Sequence, residues 1–68
     1  MRLNKKAFDL ALARAKLTKQ EVAEKSGISP STITKLLSQT QDMRPITAGK
    51  IADALGCNVT DLIKTTED

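Results

Sequence analysis

Histidine is absent from this 68-residue chain, and so are tryptophan and tyrosine. Without an imidazole the chain can form neither a Ser-His-Asp triad nor a Cys–His nucleophile pair. Its one cysteine, Cys57, cannot build a Cys/His zinc site or an intrachain disulfide, and an unpaired thiol favours a reducing compartment. We therefore expect no catalytic residue, no metal, no cofactor and no small-molecule ligand, and we interpret Cys57 as a core thiol.

Long apolar runs are also missing. No stretch approaches the ~20 apolar residues of a transmembrane helix, and no charged start leads into an apolar signal sequence. We therefore expect a cytoplasmic protein that does not contact a membrane. The length fits one domain, residues 1–68, because domains usually run to roughly 100–200 residues. The net charge of +3 is too small to indicate a nucleic-acid binder by itself.

Acidic residues are missing from one part of the chain. Between Lys25 and Gln41 there is no Asp or Glu, although 28% of the residues are charged. Such a window arises either by chance or because a surface is kept clear of negative charge for a polyanion. Residues 1–6 also contain Arg2, Lys5 and Lys6 but no Asp or Glu, which fits either nucleic-acid backbone contacts or a solvated terminus.

The spacing of apolar residues, with Gly and Pro as punctuation, predicts an all-α fold of five short helices. The predicted ranges are 4–16, 18–25, 29–38 and 47–55, followed by a last short turn that begins at Thr60. The predicted N-caps are Asn4, Thr18, Ser29 and Thr47, and the predicted helix stops are Gly27 and Gly56. Leu10 is left as either a second core contact or an exposed apolar residue, and Met43 is expected to be a loop contact.

The second and third predicted helices, about residues 18–38, are joined by a short turn around Gly27, which is the spacing of a helix-turn-helix. Ala23 supplies the small residue that a close helix crossing needs. Gly27 tolerates a positive φ in the turn. Ile33 supplies the branched apolar residue that anchors the second helix of the pair to the first.

With these residues in place, the sequence resembles the phage repressor and Cro-like (Xre-type) helix-turn-helix family. The resemblance rests on Leu-Thr-Lys-Gln-Glu-Val-Ala at 17–23, Ser-Gly-Ile-Ser-Pro-Ser-Thr-Ile at 26–33, and the segment 52–63. It implies a lambda-repressor-like bundle of five helices that binds double-stranded DNA as a transcription regulator. It also implies a dimer on a partly palindromic operator.

The outer face of the third helix follows from its apolar stripe. If Ile33, Leu36 and Leu37 face inward, then short or cationic residues face outward, namely Ser31, Thr34, Lys35 and Ser38. Short hydroxyls allow close approach to a groove and can bond bases or phosphates, and a lysine can donate to guanine or to a phosphate. The alternative is a solvated helix face of poor helix propensity.

The resemblance adds phosphate contacts on either side of this helix. One is the start of the second helix, where the family commonly has Gln and this chain has Lys19 followed by Gln20. The other is the loop after the third helix, which holds Gln39 and, just before Pro45, Arg44. The full set of predicted DNA-binding residues is Lys19, Gln20, Ser29, Ser31, Thr32, Thr34, Lys35, Ser38, Gln39 and Arg44.

We predict a sequence-specific regulator, either a repressor or a regulator of a phage or mobile element, with the third helix in the major groove. The alternative is a protein-interaction module such as the antitoxin of a toxin–antitoxin pair. An enzyme is the weakest interpretation, since a small helical domain has little room for a pocket. We further predict a weak homodimer, stabilised by DNA, with its interface drawn from Val59, Leu62, Ile63 or an exposed Leu10.

Overall fold

The computed structural model describes residues 1–38 and 42–63, which form four α-helices and one 3-10 turn. The elements are α1 (Lys5–Ala15), α2 (Lys19–Ser26), α3 (Pro30–Leu37), α4 (Pro45–Leu55) and the 3-10 turn Val59–Asp61. Strand-type pairing within these residues is limited to an isolated antiparallel bridge between Leu3 and Ile63. No helix of the described residues has the length and apolar character needed to cross a membrane.

Side-chain caps start the first two helices, as predicted. The Asn4 Oδ1 atom accepts from the Ala7 N–H at 2.8 Å and begins α1. At α2, Thr18 Oγ1 accepts from the Glu21 N–H at 3.1 Å, and the Glu21 carboxylate accepts from the Thr18 N–H at 2.8 Å. This reciprocal capping box satisfies two of the N–H groups that a helix start leaves without partners.

The predicted start of the fourth helix at Thr47 is wrong, because α4 begins at Pro45. Arg44 occupies the N-cap position and makes no side-chain capping hydrogen bond there, while Thr47 lies half-buried within the first turn. Proline suits the first helical residue, since its φ is already helical and its missing N–H would have had no partner. That preference extends the helix two residues beyond the point where a threonine cap was expected.

The predicted count of five helices is not confirmed, since four α-helices are found in the described residues and the last short element is a single 3-10 turn, Val59–Asp61. Its predicted start at Thr60 is wrong, because Asn58 is the N-cap and Thr60 lies inside the turn. The turn is closed by the Asn58 N–H, which donates to the Asp61 carboxylate at 3.1 Å. The chain then leaves the turn, buries Leu62 completely and pairs Ile63 with Leu3. Leu62 still has helical backbone, with φ −108° and ψ −24°, and the bridge to Leu3 follows at Ile63.

The core lies between α4 and the other helices: α4 packs against α1, α2 and the 3-10 turn, and α2 packs against α3. Its buried side chains are Leu3, Phe8, Ala11, Val22, Ala23, Ile33, Leu36, Met43, Ala48, Ile51, Ala52, Leu55 and Leu62. Met43 was expected to be a loop contact but is only 2% exposed, whereas Leu10 is 59% exposed and lies outside the core. Because Leu62 is fully buried, its predicted place in a dimer interface is wrong.

Candidate nucleic-acid interface

A short turn connects α2 to α3, and its conformation depends on one glycine. Gly27 has φ 76°, and its N–H donates to the Ala23 carbonyl at 2.9 Å. The hydroxyl of Ser26 donates to the same carbonyl at 3.3 Å and accepts from the Ile28 N–H at 3.2 Å. These bonds satisfy the end of α2, and the next helix begins three residues after Gly27. The predicted helix-turn-helix is therefore formed.

The amino end of α3 is a cluster of hydroxyl groups. Ser29 caps the helix as predicted, with its Oγ accepting from the Thr32 N–H at 3.2 Å. The same hydroxyl donates to Thr32 Oγ1 at 2.9 Å and lies 3.4 Å from the hydroxyl of Ser31. Pro30 occupies the first helical position. Ser29 and Ser31 are exposed and Thr32 is half-buried, so this end of α3 presents hydroxyls beside backbone N–H groups.

The outer face of α3 matches the predicted pattern. Ile33 and Leu36 are buried and Leu37 is half-buried, whereas the four outward residues are all exposed: Ser31, Thr34, Lys35 and Ser38. Two hydroxyls on this face donate to carbonyls of their own helix, Thr34 to Pro30 and Ser38 to Lys35, each at 3.0 Å. Since those protons are already used, each oxygen can act only as a hydrogen-bond acceptor.

Lys19 joins the start of α2 to this face. Its Nζ atom donates to Thr34 Oγ1 at 3.0 Å, across fifteen positions of sequence. The two residues share a cleft of about 270 Å³ with Lys5, Leu37 and Ser38. Lys5, at the first position of α1, therefore lies beside the predicted surface, although its Nζ atom also pairs with Asp9 at 3.2 Å. The sequence left its role open, because a terminal lysine carries no signal of which helix it faces.

The remaining predicted residues fall on the other sides of α3. Arg44 is exposed and shares a cleft of about 260 Å³ with Thr32, Thr47 and Asp42. Gln20 is exposed and shares another, of about 450 Å³, with the turn and the start of α3. Gln39 lies outside the described residues. Nine of the ten predicted residues can thus be placed, and all nine lie on α3 or on segments bordering it.

Cys57 lies apart from this surface, in a cleft of about 160 Å³ between the carboxyl-terminal parts of α1 and α4. It is half-buried and packs against the core, as predicted for a core thiol. Burial raises the pKa of its thiol, the carboxylate of Asp61 raises it further, and Arg14 opposes both effects. The protonated thiol is therefore favoured over the nucleophilic thiolate.

Comparison with known proteins identifies the chain through one family model, described as a Cro/C1-type HTH DNA-binding domain and matching residues 8–68. Neither curated proteins nor solved structures gave a match. The matched region contains α2, its turn and α3, as well as α4 and most of α1. The chain belongs to the family of Cro/C1-type helix-turn-helix DNA-binding domains.

Proposed function

We propose that this domain is a sequence-specific transcription regulator, acting as a repressor in the cytoplasm, that inserts α3 into the major groove of double-stranded DNA. The observation that carries the proposal is the exposed face of α3, where three hydroxyl residues and Lys35 stand with no acid among them. An α-helix fits the major groove, and short side chains let its backbone approach the base edges.

The roles of the individual residues follow from their positions. Ser31, Thr34, Lys35 and Ser38 face the groove, where they meet base edges or the phosphates that line it. Ser29 and Thr32, at the amino end of α3, are proposed to bind a phosphate through their hydroxyls, with the Ser29 proton turning from Thr32 Oγ1 to the anion that the helix end favours. Lys19 and Gln20 on one side and Arg44 on the other are proposed to bind the two sugar-phosphate strands, with Gln39 assigned beside Arg44.

A single α3 spans only a few base pairs, so we propose that two copies bind a partly palindromic site with half-sites about 34 Å apart. The dimer is expected to be weak and to form on DNA. Leu10 is the most exposed of the apolar residues predicted for its interface, since Val59 and Ile63 are half-buried and packed against the core.

Selection of bound sequences from random duplex DNA tests the proposal, followed by affinity measurements on a selected and a scrambled duplex. Lys35→Ala should reduce the preference for the selected duplex by about 1–3 kcal/mol if Lys35 contacts a base. An equal loss on both duplexes, with a shallower salt dependence, would instead place Lys35 on a phosphate. Lys50→Ala is the control, because Lys50 is an exposed cation on α4 that lines none of the three clefts around α3.

Two outcomes would contradict the proposal. One is failure of the selection to enrich any sequence at low salt. The other is co-purification of a stoichiometric protein partner without DNA retardation, which would favour the antitoxin-like interaction module. A monomer that binds one copy per site would retain the DNA-binding role and refute the dimer.

A further inference from the structure

Two acids line clefts beside the proposed DNA surface, Glu24 in the cleft of Gln20 and Asp42 in the cleft of Arg44. Asp42 ends the acid-free window of residues 25–41 and comes two positions before Arg44. Its side chain lines the same cleft as Thr32 and Arg44 and is 69% exposed. A carboxylate at this place repels the phosphates that Arg44 is proposed to bind, and the repulsion is substantial where solvent is displaced between protein and DNA.

Asp42 forms an ion pair with Arg2, which is distant from it in the sequence. Arg2 Nε lies 3.3 Å from Asp42 Oδ1. An isolated exposed pair of this kind contributes little, because ordering two flexible side chains costs entropy. Here backbone contacts hold the two residues next to each other, so that only the entropy of the two side chains opposes the pair.

Three contacts fix the backbone. The Met43 N–H donates to the Met1 carbonyl at 2.7 Å, on the Asp42 side of the pair. Leu3 is fully buried, and the Asn4 N–H donates to the Leu62 carbonyl at 2.8 Å. Arg2 is therefore carried by an extended segment anchored at both ends, with the loop before α4 as its neighbour.

We propose that Arg2 is a positioning residue for DNA binding: it neutralises Asp42 and holds that carboxylate away from the DNA, so that the loop before α4 presents Arg44 to a phosphate. This inference rests on the proposed function. It assigns Arg2 an electrostatic role in the interface without direct contact between Arg2 and DNA.

Affinity for the selected duplex, measured for a set of four variants, tests the proposal. Arg2→Ala should weaken binding about two- to fivefold, the range expected for an exposed ion pair, and should weaken it on scrambled DNA as well. Arg2→Lys should retain binding because the charge is kept. Arg2→Ala combined with Asp42→Asn should restore near-normal binding, because the carboxylate that needed neutralising is gone. Asp42→Asn alone should bind at least as tightly as the unsubstituted chain.

Arg14→Ala is the matched control, since it removes the same charge near Cys57, at the other end of α1 from Lys5. An equal loss with Arg14→Ala would assign the effect to net charge and overturn the proposal. Equal weakening by Arg2→Ala with and without Asp42→Asn would mean that Arg2 binds phosphate itself. Loss of sequence preference by Asp42→Asn would mean that Asp42 reads a base.

Thermal unfolding of each variant shows whether the domain is still folded. Restored binding by the double variant is a second control, because a destabilised domain would not regain affinity for DNA. Unchanged binding by Arg2→Ala refutes the inference and leaves the proposed function intact. Absence of DNA binding by the unsubstituted chain refutes the proposed function, and the inference with it.

Discussion

Alanine at Gly27 and alanine at Gly49 should change the stability of this domain in opposite directions. Neither site is crowded, since a Cβ atom built on either glycine would meet nothing within 4 Å. The difference lies in the backbone: Gly27 has φ 76° in the turn between α2 and α3, whereas Gly49 lies inside α4. An L-residue in the left-handed region costs roughly 1–2 kcal/mol, while alanine within a helix is better than glycine by roughly 0.5–1 kcal/mol.

These changes in the free energy of unfolding are large enough to measure in a chain of this length. A stability of about 0.05–0.15 kcal/mol per residue implies roughly 3–10 kcal/mol in total, and 1 kcal/mol shifts the melting temperature by roughly 4–8 °C. Alanine also restricts the unfolded chain, which offsets part of the strain at Gly27. We therefore expect Gly27→Ala to destabilise by about 1 kcal/mol and Gly49→Ala to stabilise by slightly less.

Urea denaturation followed by circular dichroism at 222 nm gives both values, and unchanged slopes would show that the surface exposed on unfolding is the same in each variant. Gly27→Asn should lose less than Gly27→Ala, because asparagine tolerates the left-handed region better. Two results would refute the reasoning: a stabilising or neutral Gly27→Ala, or a Gly49→Ala that destabilises as much as Gly27→Ala does.

Three further predictions concern single contacts. The hydrogen bond between Lys19 and Thr34 should couple their effects on DNA affinity, because it orients the ammonium group of Lys19. In a double-mutant cycle of Lys19→Ala and Thr34→Val, the loss should differ from the product of the single losses by about two- to fivefold. Additive losses would show that the bond has no role. Cys57 should react with iodoacetamide more slowly than a free thiol at pH 8, because its raised pKa leaves less thiolate. Asp61→Asn should lower the pKa of the thiol and accelerate the reaction. An unchanged rate would contradict this electrostatic effect. Leu10→Ser should leave the unfolding free energy within about 0.5 kcal/mol but weaken dimerisation in sedimentation equilibrium, and a dimer of unaltered strength would place the interface elsewhere.

Local signals made the helix-turn-helix predictable from the sequence. The capping box at Thr18, the left-handed stop at Gly27 and the Ser29-Pro30 start each depend on a few neighbouring residues. Helical periodicity then places Ile33 inside and Lys35 outside, because a helix fixes the angles between its side chains. The exposed face of α3 could be derived for the same reason.

Contacts between distant segments were not predictable in this way. Leu3 is buried through a bridge to Ile63, and Met43 is buried beside the backbone of Met1, so neither position follows from a local period. The bond from Lys19 to Thr34 depends on how α2 crosses α3. The start of α4 was misplaced for a different reason, since two local signals competed and Pro45 prevailed over Thr47.

The distribution of acids explains how a chain with a net charge of only +3 can present a cationic surface. Several acids are bound within their own neighbourhood: Glu21 in its capping box, Asp9 beside Lys5, and Asp61 at the Asn58 N–H. None of the three lies on α3, and Asp9 is also paired with a cation, whereas Glu21 and Asp61 keep their charge because their partners are neutral N–H groups. Positive charge at the surface around α3 therefore depends on where the acids are held more than on an excess of lysine and arginine. An acid on the loop beside that surface would be costly without a partner, and Arg2 meets this requirement at Asp42.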